Sequence, residues 1–283
     1  IFIEDKYANE FVLQSGQIDQ SIAGRDFGIG IRIFSGLQSI YTYTNDFSEE
    51  GLLAAAKRAA LAIKGGASGT IHPLHKEIVT PIHEILRMPN TVEHSRKTAI
   101  MRQADSIARN YDPRISQVFV RYLDEQQNVL IANSEGKFIE DTRIYSRLSM
   151  RATAEEGTEV QTGFYGPGAH AGFEFIERLD LNHYAGEAAR IAVTMLHADE
   201  CPSGKFPVII DNEFHEACGH GLEATAVAKN NSVFANRIGE RVAPEIVTYI
   251  DDGTLPNEWG SLNIDDEGEK TRRNVLIENG ILK

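Results

Sequence analysis

Asn212-Glu-Phe-His-Glu-Ala-Cys-Gly-His-Gly-Leu-Glu223 is the stretch on which the reading of this chain turns, because it sets His215, Glu216 and His220 within two turns of one another. Neutral imidazoles bind Zn²⁺, and a neighbouring glutamate can take a proton from water activated by the ion. In the sequence His-Glu-x-x-His the two histidines are four apart and share a helical face, whereas here Ala217, Cys218 and Gly219 separate Glu216 from His220. A five-residue step leaves two side chains roughly 140° apart around a regular helix, too far for one ion. Gly219 and Gly221 flank the second histidine, and glycine lets a helix end, bulge or unwind at low steric cost. The spacing therefore predicts a helix whose last turn is deformed to bring His220 round to the metal. Lys205-Phe-Pro-Val-Ile-Ile-Asp211, just before the motif, reads as a short buried strand. A strand running into a helix gives such a site a rigid mount. With nine histidines in the chain, chance could also set a second histidine near a His-Glu pair, so context has to carry the metal reading.

That context lies downstream, in Ser232-Val-Phe-Ala-Asn-Arg-Ile-Gly-Glu-Arg-Val-Ala243, Asp251-Asp-Gly-Thr-Leu-Pro-Asn257 and Gly260-Ser-Leu-Asn-Ile-Asp-Asp-Glu-Gly268. With His-Glu-Ala-Cys-Gly-His-Gly-Leu-Glu these blocks strongly resemble the TldD/TldE (PmbA) metalloprotease family, also called modulators of DNA gyrase, and within it the TldD-type subunit. The resemblance runs from near Ile1 to Lys283 and is most specific over residues 215–268. It implies that His215 and His220 are zinc ligands and that Glu216 is the catalytic base. It also implies a TldE/PmbA-type partner subunit that lacks the motif. A cysteine far downstream supplies the family's third protein ligand, and it has no counterpart here. Val275-Leu-Ile-Glu-Asn-Gly-Ile-Leu-Lys283 reads as a strand, an Asn-Gly turn and the start of a returning strand, so the expectation is a C-terminal domain that is incomplete. Cys218 is two residues from His220 and points away from it on a helix, which favours a buried free thiol over a ligand. Glu223, three residues past His220, is the nearest carboxylate that could replace the missing ligand.

Composition is compatible with this picture. A length of 283 residues suggests two or three domains with ample core. Two cysteines, Cys201 and Cys218, give no disulfide framework and point to a reducing cytoplasm. The net charge of −13 argues against direct nucleic-acid binding, which needs clustered Lys and Arg. No apolar run approaches a membrane span, and the N-terminus has no signal pattern.

In chain order, Glu10–Gln14, Gln17–Ala23, Phe27–Phe34 and Leu37–Tyr43 read as antiparallel strands with turns at Ser-Gly, Gly-Arg-Asp and Ser-Gly. Gly28-Ile-Gly-Ile lacks the third glycine and following helix of a dinucleotide fingerprint. Ser48 caps a helix over about 49–64. Residues 65–90 carry His72, His75 and His83 at no ligand spacing and read as a surface linker. Thr91 is expected to cap a helix to about Tyr111, followed by strands over 117–122, 129–132 and 137–153 with a turn at Asn133-Ser-Glu-Gly136. Glycine-rich 155–172 reads as a mobile connection or a substrate-lining loop with His170 as a polar contact. Asp180 caps a helix to about His197, packed through Ala185, Ala188, Ala189, Ala192 and Met195, with His183 and His197 at its surface ends. Residues 229–241 read as irregular, 246–250 as a strand, and the acidic clusters at Asp251 and Asp265 as solvated turns rather than Ca²⁺ loops. The fold expected is multi-domain α+β, antiparallel sheets with packed helices: an N-terminal unit over 1–70, a central unit over 71–203 and the start of a metalloprotease domain over 204–283.

The expectation is a zinc-dependent metallopeptidase subunit, oligomeric and cytoplasmic, acting on unfolded or short peptides. Its alternative is a non-catalytic binding or assembly module, since two histidines without a third ligand hold zinc poorly.

Overall fold

A computed structural model describes residues 1–36, 38–62, 72–207, 209 and 222–283. Three strands open the chain: β1 (Phe2–Gln14), β2 (Gln17–Ser35) and β3 (Gln38–Thr44). Ser15 and Gly16, both at positive φ, form the tight two-residue turn whose twist matches a β-hairpin. The turn expected at Gly24-Arg25-Asp26 is absent, and β2 runs straight through it. These residues pair with Ala8, Tyr7 and Lys6 of β1, and the Arg25 guanidinium holds both Asp5 oxygens at 2.7 and 3.0 Å while lying over the Tyr7 ring. Cross-strand pairs of this kind keep a polar tripeptide extended. Helix α1 (Glu49–Ala62) follows, its Gly51 N–H bonded to the Ser48 hydroxyl at 3.1 Å. It buries Ala55 and Ala59 as it packs on β2 and β3.

The central region contributes β4 (His75–Glu77), α2 (His94–Arg109), β5 (Ile115–Ala132), β6 (Lys137–Glu156), β7 (Glu159–Tyr165), β8 (Gly168–Ala169), α3 (Phe173–Arg178) and α4 (Leu181–Met195). Thr91 does not cap α2. It closes a separate 3₁₀ turn, Pro89–Thr91, and its hydroxyl donates to Met88 O at 2.7 Å, while Glu93 begins the helix. Strand β5 is also unbroken where the sequence suggested a gap. Leu123-Asp-Glu-Gln-Gln-Asn128 lies between β1 and β6 and is paired on both sides, so its polar run costs no backbone hydrogen bonds. The glycine-rich stretch expected to be a loop forms β7 and β8, which pair along β6. One sheet results, in the order β3-β2-β1-β5-β6-β4, antiparallel except for the short β4–β6 pairing.

Directly opposed residues share a sheet face, so Phe11–Tyr122–Leu148, Leu13–Val120–Met150 and Val118–Ala152 form successive rungs of one face. That face is the main core, closed by Met101, Ala104 and Ala108 of α2 and by Ala185, Ala188, Ala189 and Ala192 of α4. Met195, expected among them, is 42% exposed, and Leu196 just beyond it takes the buried place in the core. Asp180 accepts from His183 N at 3.1 Å and caps α4 as expected. Contact between α4 and β7 is close: a Cβ at Gly163 would stand 2.0 Å from Ala188 O and 2.5 Å from Ala192 N. Within this core Lys97 and Asp124 form an ion pair at 2.6 Å, 1% and 4% exposed at their side chains, with Asn9 donating to the second Asp124 oxygen at 2.9 Å.

The C-terminal region is thinner. After a helical turn, Ala224–Ala228, it forms a three-stranded antiparallel sheet of β9 (Tyr249–Asp252), β10 (Arg273–Glu278) and β11 (Ile281–Leu282). Asn279 and Gly280, both at positive φ, make the Asn-Gly turn expected from sequence. The strand anticipated over 246–250 starts later, because a turn bonding Val247 N to Pro244 O precedes it. The chain is thus an α+β fold of antiparallel sheets with packed helices, and among the described residues no helix is long and apolar enough to cross a membrane.

Candidate functional site

His215, Glu216 and His220, together with Cys218, lie outside the described residues. Of the strand expected before them, residues 208, 210 and 211 also lie outside, while Lys205, Phe206, Pro207 and Ile209 are irregular and exposed rather than a buried strand. Glu223 is exposed at the near end of the helical turn, its carbonyl accepting from Val227 N at 3.0 Å. Among the described residues no group of three or more His, Cys, Asp or Glu side chains could hold a metal ion. What the structure does place is residues 222–283, which follow the motif in sequence, and how they are fixed to the central sheet.

Fixation centres on two histidines that sequence had assigned to a linker and a loop. His83 and His170 are 7% and 1% exposed, and their rings stack with centroids 3.6 Å apart and 16° between planes. Tyr145 of β6 lies 4.5 Å from the His170 ring centroid, and Trp259 lies 5.0 Å from Tyr145. His83 Nδ1 accepts from Asn257 N at 3.0 Å, which puts the His83 proton on Nε2. His170 Nδ1 sits 3.0 Å from Ser261 O, which requires the opposite tautomer, with Nδ1 donating. Burial, and secondly the neighbouring His170, push the His83 imidazole down to about 4. Burial also lowers His170. Both rings are therefore neutral near pH 7 and act as fixed donors and acceptors, not as proton carriers.

Around the pair, polar contacts bind residues 257–268 to the sheet. Asn257 donates to Glu84 O at 3.0 Å and to His170 O at 2.8 Å. Asn263 accepts from Ile82 N at 2.8 Å and donates to Asp141 Oδ1 at 2.9 Å. Arg143 donates to Ile264 O at 3.1 Å and pairs with Asp266 at 2.8 Å. Lys137 donates to Gly268 O at 2.9 Å and pairs with Glu269. Two of the sequence blocks that carried the family resemblance are thus the contact surface between the C-terminal region and β6. A cavity of about 840 Å³ lies beside it, walled by Ile3, Ile85, Met88, Asp141, His170 and Asn263 among others. Nothing in the sequence signalled that His83 and His170 belong together. They are 87 residues apart, share no spacing with 257–263, and meet only through tertiary contacts.

Comparison with known proteins gives the arrangement its context. Three segments match descriptions of one family: residues 1–63 the PmbA/TldA metallopeptidase domain 1, 87–196 the central domain and 203–283 the C-terminal domain. The chain is 32% identical over 295 residues to a "Metalloprotease TldD homolog" of Buchnera aphidicola, covering 100% of this chain and 61% of that protein. It is 33% identical to a protein of the same description from Haemophilus influenzae, over 96% of this chain and 59% of the relative. The chain therefore spans about three-fifths of the length of the curated relatives it matches. Its fold resembles a modulator of DNA gyrase from Thermotoga maritima, with TM-score 0.79, 23% identity and coverage of 100% of this chain and 65% of that one. It also resembles TldE from Thermococcus kodakarensis, with TM-score 0.71, 18% identity and coverage of 100% and 64%. Matched along nearly its whole length, this chain belongs to the PmbA/TldD metallopeptidase family.

Proposed function

We propose that the protein is the catalytic subunit of a zinc metallopeptidase, cleaving unfolded or short peptides in the cytoplasm together with a TldE/PmbA-type partner. The observation that carries this reading is His215-Glu216-Ala-Cys-Gly-His220, which falls inside the segment matching the family's C-terminal metallopeptidase domain. Two imidazoles and a carboxylate are a donor set suited to zinc. His215 and His220 hold the ion in this reading, and Glu223 is the nearest candidate for a further ligand in the chain. When bound, zinc supplies Lewis acidity to a peptide carbonyl and makes a water molecule acidic near neutral pH. Glu216 takes the proton from the attacking water and returns it to the amine that leaves when the peptide bond breaks. The three family segments support three units, over 1–70, 71–203 and 204–283. Resemblance to a solved TldE supports a partner of like fold.

The first test is metal content by elemental analysis after gel filtration, with His215→Ala as control. Close to one zinc per chain, lost in the control, supports the site, and loss of zinc in Glu223→Ala would place that carboxylate in the ligand set. Chelator-sensitive cleavage of an unstructured peptide, abolished by Glu216→Ala with zinc retained, supports the role of the base. Retained cleavage in that variant excludes it. The second reading is a non-catalytic assembly module, in which two histidines hold zinc poorly and the chain docks a partner subunit. Zinc-free protein that still binds a TldE-type subunit would favour it.

A further inference from the structure

The sheet carries a cationic concavity on the face opposite α2 and α4. Between the core rungs named above stand the alternate rungs Phe119–Arg151, Arg121–Ser149 and Leu123–Arg147, whose side chains point the other way. With Glu10, Val12 and Phe164 they line a hollow of about 450 Å³. Arg147, Ser149 and Arg151 sit at alternate positions on one face of β6, so the two arginines are about 13 Å apart at the backbone with the hydroxyl between them. Arg121 stands across from Ser149 on β5. Three guanidinium groups against the single carboxylate of Glu10 leave two positive charges here, in a chain whose net charge is −13.

These arginines are not equally engaged. Arg121 is held by Glu10 through two bonds of 2.7 and 2.8 Å. Arg147 gives Nε to Gly166 O at 3.2 Å and lies 5.5 Å over the Trp259 ring, and its terminal nitrogens have no hydrogen bond or ion pair among the described residues. Arg151 is exposed and has no hydrogen bond or ion pair among the described residues. Phe164, 49% exposed, offers an apolar wall beside it.

We propose that this hollow is a binding subsite for an acidic stretch of extended peptide, with Arg151 and Arg147 gripping carboxylates on either side of the Ser149 hydroxyl. Guanidinium forks match carboxylates in a bidentate geometry. An extended chain laid along β6 advances at the same rise per residue as the strand, so acidic side chains at alternate positions meet the arginines in register. The chain's net charge of −13 repels a long nucleic-acid polyanion more than a peptide bearing a few carboxylates, and with the local excess of guanidinium charge this favours a short acidic peptide segment as the occupant. The choice of peptide as ligand rests on the peptidase reading above.

The test is fluorescence anisotropy with the 283-residue chain in EDTA. The probe is a short peptide bearing an uncharged dye and Asp at alternate positions, beside the same peptide with Asn. Tight, salt-sensitive binding of the Asp peptide is expected. Arg151→Gln should weaken it about tenfold, as for loss of a charge-assisted hydrogen-bond pair, and Arg102→Gln on the far face should leave it unchanged. Equal binding of the two peptides, no effect of Arg151→Gln, or tighter binding of a single-stranded oligonucleotide of equal charge would each overturn the proposal. Because the readout is taken without metal, failure of the zinc site leaves it intact, and a working zinc site does not rescue it.

Discussion

The central sheet and the C-terminal region are held by different physics. The first buries rung after rung of apolar side chains under two helices, whereas described residues of the second bury only Ile264, Ile277 and Leu282 as apolar side chains. Apart from Ile264, which packs on Val129, Ile131 and Ile139 of the sheet, the second is fixed by directional bonds from Asn257, Asn263, Arg143 and Lys137. Apolar burial is non-directional and tolerates repacking, while a polar seam specifies one position and fails when a partner is removed. The chemistry expected of the family therefore sits in the region whose placement depends on hydrogen bonds.

Four measurements would break or sharpen this contrast. Asp124→Ala leaves Lys97 charged and buried in the central core, and should cost about 3–5 kcal/mol in denaturant unfolding. A loss below about 1 kcal/mol would mean that the pair is not sealed. Next comes pH. The His83 imidazole is depressed from 6.5 to about 4 in the fold, so between those values the unfolded chain takes up a proton that the folded chain refuses. Stability is full above pH 6.5 and should fall by on the order of 2–3 kcal/mol toward pH 4. His83→Gln should remove that component, and an unaltered pH profile in the variant would reject it. Third, Asn263→Ala strips partners from Ile82 N–H and Asp141, costing about 1–3 kcal/mol. Faster hydrogen exchange should be confined to the neighbourhoods of residues 82 and 257–268, and equal acceleration in α2 and α4 would show that the two regions are not separable. The smallest effect belongs to Glu240→Gln, whose partner Arg237 is 40% exposed at its side chain. A change under about 0.5 kcal/mol is expected in thermal unfolding.

What could be read from sequence follows the same divide. Local codes were legible: the alanine spacing and Asp180 cap of α4, the Ser48 cap of α1, and the Asn279-Gly280 turn all depend on neighbours in the chain. Strand continuity was not, because Leu123–Asn128 and Gly24–Asp26 stay extended through bonds to distant strands. The motif around His215 could be read as a candidate metal site from its residue types together with the family blocks downstream, and its residues lie outside the described ones. The seam that positions residues 257–268 was not legible, since His83, His170 and Asn257 acquire their roles only when three remote segments meet.

The contact between Gly163 and the alanine face of α4 bears on how this sequence can drift. With backbone atoms 2.0 and 2.5 Å from where a Cβ would stand, no side chain fits at position 163 unless the helix retreats. Retreat in turn opens voids beside Ala185, Ala188 and Ala189, which only larger residues could refill. A single change on either surface is thus penalised, and the route from one packing to another runs through paired replacements. Relatives that differ at position 163 should differ at the facing helix positions as well.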